Sequence, residues 1–281
     1  MIVVTGATGN AGRALVGVLA ADGGAVTATS RGITDADVPP GVVARQADLI
    51  EADTLRPVFE GARAVFLQNG SASAFRLDPR AVVGVAKAAG VERIVLLSSQ
   101  GVVTRPESAS HGGTARAIED AVRESGVDWT ILRPGGFASN MYAWAESVRT
   151  RRAVTAPFGD VGLPVIDPLD IAEVAAAALR GDGHAGRTYE LTGAALTTPR
   201  ERAQAIGDAI GEPVAFVEQT REEARAEMLR FMPEAVVETT LAIIGDPTPG
   251  EQRVSPDVRE VLGREPHAFA AWALRNAEAF R

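Results

Sequence analysis

The stretch Val4-Thr5-Gly6-Ala7-Thr8-Gly9-Asn10-Ala11-Gly12 decides the fold. It follows a β-branched run, Ile2 to Thr5, and opens an apolar stripe at helical spacing formed by Ala11, Ala14, Leu15, Val18 and Leu19. A glycine triplet alone is a weak motif, but between a strand and an amphipathic helix it reads as a phosphate loop. Gly6 permits the tight turn, Gly9 lets a pyrophosphate approach the backbone, and Gly12 lets the helix pack close to the strand. The helix's first N–H groups and its positive dipole end then face the phosphates. Gly6, Thr8, Gly9, Asn10, Ala11 and Gly12 are therefore candidate dinucleotide-binding residues. A ligand-free turn is the alternative, but three glycines at this spacing would loosen such a turn for no gain.

Outward from this loop, short apolar runs alternate with helical patterns, as in parallel βαβ units. The strand candidates are Ile2 to Thr5, Ala25 to Ser30, Val42 to Gln46, Ala64 to Leu67, Ile94 to Ser98 and Trp129 to Leu132. Asp78-Pro79 opens a helix that Gly90 closes, and Thr114 to Ser125, ended by Gly126, reads likewise. Arg133-Pro134-Gly135-Gly136 takes the chain out of the sheet. Asp167-Pro168 starts another helix, and Thr188 to Leu191 is a strand that returns. Beyond it lie helices from Thr198-Pro199, Arg221 to Met232 and Pro266 to Phe280, with one strand at Val214 to Val217. The expected class is α/β, a Rossmann-type parallel sheet with helices on both faces and a smaller, mostly helical C-terminal lobe. Residues 1–155 are expected to form the dinucleotide-binding domain, 164–195 to return to it, and 196–281 to form the substrate-side lobe.

Composition narrows the partners. With 46% hydrophobic residues in 281, the chain can bury a full-sized core. No cysteine is present, which removes thiolate metal sites and cysteine nucleophiles and fits a reducing cytoplasm. The net charge of −8 disfavours nucleic acid. No apolar run approaches a membrane span, and no basic stretch precedes the first strand as in a signal peptide. His111, His184 and His267 show no metal-ligand spacing, so no metal is expected. The expected partner is a small-molecule electron acceptor, with a homodimer left open.

The end of the second strand selects the cofactor. Asp or Glu there would bind a ribose 2′-hydroxyl, whereas arginine accommodates a 2′-phosphate. Thr29-Ser30-Arg31-Gly32 offers Ser30 and Arg31, and the nearest acids, Asp35 and Asp37, lie beyond the strand. NADPH is the expected cofactor. Asp48 and Leu49, Asn69 and Gly70, and Ser98 follow the third, fourth and fifth strands, where open α/β sheets bind ligands. Asp48 and Ser98 serve equally well as turn or cap residues.

Three stretches together resemble the NmrA-like group of atypical short-chain dehydrogenase/reductases: Val4 to Gly9, Val91 to Ser99, and Trp129 to Phe137. Asp167-Pro168-Leu169-Asp170-Ile171-Ala172 is similar to that group's later helix start. The resemblance covers roughly residues 1–195. It implies an NADPH-dependent quinone reductase or a relative of isoflavone reductase, or else a regulator that binds the dinucleotide without turning it over.

The wider superfamily uses a Tyr-x-x-x-Lys dyad, in which lysine helps a phenol donate a proton. This chain cannot have it. Its only lysine, Lys87, is preceded four residues earlier by Val83, and Tyr142 and Tyr189 are followed by Glu146 and Gly193. A ketone reduced by hydride gives a basic alkoxide that requires an acid, whereas a hydroquinone anion can take its proton from water. The expected reaction is hydride transfer to a quinone or similar conjugated acceptor. His111, in a glycine-containing loop, is the titratable candidate, with ordinary surface histidine as the bland reading. Tyr142, after the breaker cluster with Asn140 and Met141, faces either substrate or the packing of the next helix. A non-catalytic sensor acting through a protein partner is the second function class, and cofactor turnover separates the two.

Overall fold

The computed structural model describes residues 1–68 and 76–281, with side chains at all of these positions except Ala109 and His111. Seven strands form one parallel sheet: β1 (Ile2–Thr5), β2 (Val26–Ser30), β3 (Val43–Gln46), β4 (Ala64–Gln68), β5 (Arg93–Leu97), β6 (Asp128–Pro134) and β8 (Arg187–Leu191). Two more, β7 (Ala153–Pro157) and β9 (Ala215–Gln219), pair in parallel with each other. The large sheet has the order β3-β2-β1-β4-β5-β6-β8. The chain grows one way from β1 and then the other, so a crevice opens between the carboxyl ends of β1 and β4, where this class of sheet binds ligands.

The central strands β1, β4 and β5 are covered on both faces. Successive side chains on a strand point to opposite sides. Val4, Phe66 and Val95 thus pack toward α1 (Asn10–Ala21) and, late in the chain, α7 (Pro168–Arg180). Val3, Val65, Ile94 and Leu96 pack on the other side against α2 (Arg56–Phe59), α3 (Pro79–Ala88) and α5 (Thr114–Glu124). The paired buried runs explain why these strands read as continuous apolar stretches. Between α3 and α5 the short α4 (Gly101–Thr104) follows β5, and a π-helical turn spans Ala109–Gly113. Asp78 caps α3 by accepting from the backbone N–H of Arg80 and Ala81, and Asp167 caps α7 through Leu169.

Beyond β6 the chain runs through a 3₁₀ segment, Ala138–Trp144, into α6 (Ala145–Arg151) and β7. After β8 come α8 (Pro199–Ile210), β9, α9 (Arg221–Met228), α10 (Glu234–Gly245), α11 (Pro249–Gln252), α12 (Asp257–Leu262) and α13 (Phe269–Arg275). The sequence reading carried α9 to Met232; α9 ends at Met228, and a further turn follows in which the N–H groups of Phe231 and Met232 donate to the Met228 carbonyl oxygen, with Pro233 barring continuation beyond Met232. Val148, Val154, Ile206 and Trp272 gather α6, β7, α8 and α13 into one cluster, and Val237 and Leu241 join α9 and α10 in a smaller one. The fully buried Asp170 on α7 accepts from the His267 backbone N–H at 2.8 Å, contacts His267 Nδ1 at 2.7 Å and pairs with Arg264 at 2.8 Å. These bonds fix the segment between α12 and α13 onto the Rossmann core. Among the described residues, no helix is long and apolar enough to cross a membrane.

Candidate active site

The loop between β1 and α1 floors a groove of about 330 Å³, lined on its far side by Thr29 to Gly32 and Ala47 to Ile50. Gly6 takes φ +60, the left-handed region that glycine adopts without strain. A Cβ on Gly12 would lie 2.2 Å from the Gly6 carbonyl oxygen, so close approach of helix and loop demands glycine there. Gly9 is the extended N-cap of α1 and no side chain caps the helix, so its first N–H groups are turned toward the groove unused. Thr5 Oγ1 donates to the Phe66 carbonyl oxygen at 3.1 Å and accepts from the Gln68 N–H at 2.9 Å, locking β1 to β4 directly beneath the loop.

A dinucleotide fits this donor set. Two buried side-chain oxygens in the groove, Thr29 Oγ1 and Gln68 Oε1, have no hydrogen-bond partner within the protein. Orphaned buried polar atoms are costly unless a ligand or water completes them. Gln68 lies under the loop, within 3.1–3.4 Å of where Cβ atoms on Gly6 and Gly9 would stand. Sequence reasoning passed over Gln68; the available signal was one polar residue ending the apolar run Ala64 to Leu67.

The other candidates sort by position. Ser30 ends β2, and its Oγ accepts from Thr8 Oγ1 at 3.3 Å, joining loop to strand across the groove. Arg31 lines the groove, is exposed, and has no ion-pair partner among the described residues. Asp48 and Leu49 also line it, while Asp48 Oδ1 accepts from the Ile50 N–H at 3.0 Å, so it shapes a turn as well. Asn10 Nδ2 donates to Ser139 Oγ at 3.0 Å, bringing the 3₁₀ segment against the loop, and Ala11 is buried beneath. Asn69 and Gly70 lie outside the described residues. So does the His111 side chain, whose backbone belongs to the π-helical turn.

Ser98 and Tyr142 both have their protons engaged. Ser98 Oγ, just past β5, donates to Glu119 Oε1 at 2.5 Å. Glu119 on α5 is fully buried and also accepts from Arg133 at 2.9 and 2.6 Å and from Arg123 at 2.9 Å. Burial alone would push this carboxyl up, but the Arg133 and Ser98 hydrogen bonds outweigh it and hold it below the usual range. No sequence pattern announced this cluster, because Glu119 sits between Ile118 and Asp120 on a helix whose other charges face solvent. Tyr142 stands in the 3₁₀ segment, its ring against Trp272 and Phe280, and its hydroxyl donates to Asn276 Oδ1 at 2.5 Å. Burial, and then the nearby Asp167 charge, push its phenol up. Lys87 Nζ donates to the Ser125 carbonyl oxygen at 2.8 Å, at the far end of the sheet. Among the described residues no cluster of His, Asp and Glu suits a metal ion.

Comparison with known proteins agrees with this geometry. Residues 6–182 match the model of an NAD(P)H-binding family. A (4-alkanoyl-5-oxo-2,5-dihydrofuran-3-yl)methyl phosphate reductase of Streptomyces griseus is 36% identical over 282 aligned residues, covering 100% of this chain and 99% of the relative. An NAD(P)H azoreductase of Xenophilus azovorans is 31% identical, with coverage of 100% and 99%. The crystal structure of an NADPH-dependent quinone oxidoreductase of Escherichia coli complexed with NADPH shares the fold, with a TM-score of 0.80, 24% identity and coverage of 98% and 99%.

Proposed function

Since this chain belongs to the NAD(P)H-binding family, with the fold of the NmrA-like atypical short-chain dehydrogenase/reductases, and is an NAD(P)H-dependent oxidoreductase, we propose that it spends NADPH on a quinone or a similarly conjugated small molecule. The bound cofactor supplies hydride. The chain supplies the cradle for its phosphates at Gly6 to Gly12, an unpartnered hydroxyl at Thr29, an unpartnered amide oxygen at Gln68, and a cation at Arg31 for a 2′-phosphate.

One observation carries the choice of acceptor: among the described side chains, the candidate proton donors Tyr142, Ser98 and Lys87 are already engaged. Tyr142 gives its proton to Asn276, Ser98 gives its to Glu119, and Lys87 is bonded far from the groove. A simple ketone needs protonation as its alkoxide forms, while a conjugated acceptor spreads the new charge over several atoms and can wait for water. The names of the two full-length relatives support this: a dihydrofuranone bearing an acyl group and an azo compound are both conjugated acceptors. They also favour turnover over a sensor.

The test is steady-state NADPH oxidation against a para-quinone, an acyl butenolide, an azo dye and an aliphatic ketone. Turnover of at least one conjugated acceptor with the ketone near background is expected. Robust ketone reduction would overturn the proposal, and turnover of none would leave a dinucleotide-binding regulator.

A further inference from the structure

Most of the groove is built by β1, β2 and β3. Thr29, Ser30 and Arg31 line it from the end of β2, Ala47 to Ile50 from the end of β3, and the glycine loop from β1. Among the described residues Gln68, the last of β4, is the one that lines it from the β4 side. Its backbone is held: the N–H donates to Thr5 Oγ1 at 2.9 Å, and the residue pairs in register with Leu97 of β5. Its side chain runs beneath the loop. Nε2 stands 3.2 Å from the position of a Cβ on Gly9, and Cδ 3.1 Å from that of a Cβ on Gly6. Oε1 is buried and accepts no hydrogen bond from any described residue.

The chemistry of that oxygen narrows what completes it. An amide oxygen only accepts, so a pyrophosphate at neutral pH, which offers no donor, cannot satisfy it. The Thr29 hydroxyl, also unpartnered, can donate or accept and so does not choose its ligand. A dinucleotide with its 2′-phosphate at Arg31 crosses the loop with its pyrophosphate at the N-terminus of α1. Its second half then passes the end of β4, because the crevice of this sheet opens between β1 and β4. The first donors on that half, beyond the pyrophosphate, are the hydroxyls of the nicotinamide ribose.

We propose that Gln68 orients the cofactor, its Oε1 accepting a hydrogen bond from a hydroxyl of the nicotinamide ribose. The cofactor-free protein carries the cost of a buried oxygen without a donor, and the bound sugar relieves it. Anchoring that sugar fixes the point from which the nicotinamide ring projects, and alignment of that ring is what hydride transfer asks of the protein. The inference rests on the dinucleotide site described above and is independent of the acceptor.

Gln68→Met, unbranched and of similar volume, removes the oxygen, and calorimetric titration and melting read the effect without turnover. The dissociation constants of NADPH, NADH and 2′-phospho-ADP-ribose, which share that sugar, should rise by about five- to tenfold, as for one hydrogen bond between uncharged groups, with adenosine 2′,5′-bisphosphate, which ends before it, within twofold. The cofactor-free midpoint should be no lower than that of the unaltered protein, because the variant buries no unpartnered oxygen. Gln68→Asn, which keeps the amide but draws it back by one methylene, should show the same pattern of binding and serves if Gln68→Met does not fold. Equal weakening of all four ligands, a lowered midpoint together with weaker binding, or unchanged affinities would overturn the inference. Failure of the quinone reading would appear in turnover, which none of these measurements uses.

Discussion

Two glycines of the phosphate loop should fail in different ways when a methyl group is added. At Gly12 the new Cβ would stand 2.2 Å from the Gly6 carbonyl oxygen, 2.8 Å from the Gly6 carbonyl carbon and 3.0 Å from Ala7 Cα. Comfortable contact is near 3.5 Å, so backbone must move by roughly 1 Å. Overpacking of this kind costs about 1–3 kcal/mol, or a midpoint shift of roughly 5 °C in a chain this size. At Gly9 the contacts are 3.2 Å to Gln68 Nε2 and 3.2 Å to the Gly6 carbonyl oxygen, and φ −78 suits alanine. Those neighbours can yield by a few tenths of an ångström, so Gly9→Ala should cost under about 1 kcal/mol. Its methyl group nonetheless points into the groove the pyrophosphate needs. Calorimetric melting with and without NADPH separates the two effects. Gly12→Ala should melt early and bind poorly, while Gly9→Ala should melt nearly normally and lose at least tenfold in affinity, with Gly9→Val losing binding entirely. Native affinity in a folded Gly9→Val protein would refute the site, and a native midpoint in Gly12→Ala would refute the packing argument.

Arg31→Ala should remove most of the preference for NADPH over NADH, costing about 1.5–3 kcal/mol in NADPH binding by titration; an unchanged ratio would deny Arg31 its role. Glu119→Gln should destabilise the fold by about 3 kcal/mol in urea, because Arg133 and Arg123 lose a buried counter-charge. Its folded pKa lies below its unfolded one, so the stability Glu119 contributes is present above the unfolded value of 4.5 and is lost as pH falls through the folded value. The acid-unfolding limb below about pH 4.5 should therefore flatten in Glu119→Gln relative to the native protein. His111→Ala and Tyr142→Phe should each keep most quinone turnover, since solvent can protonate the product. A collapse in either, with NADPH binding intact, would identify the missing acid.

Much of this architecture is written locally. Gly6, Gly9 and Gly12 reveal themselves because a phosphate loop needs backbone freedom and close approach at fixed offsets. The central parallel strands β1, β4 and β5 reveal themselves because burial on both faces makes each a nearly continuous apolar run. Ser30 and Arg31 could be placed because they fall where β2 ends, one loop from the motif. The strand β7 was not visible: Ala153 to Pro157 becomes a strand only because β9, 62 residues later in register, supplies its hydrogen bonds. Gln68 looked like the end of a strand, and only the fold puts its side chain under the glycine loop with an unsatisfied oxygen. Tyr142 and Ser98 could be nominated from their neighbourhoods, but whether their protons are free depends on Asn276, 134 residues away, and on Glu119 from another helix. Sequence alone thus determined the loop and the sheet, whose signals are periodic and local. Tertiary structure decided which polar groups are already satisfied, because hydrogen-bond partners are chosen by proximity in space and carry no spacing along the chain.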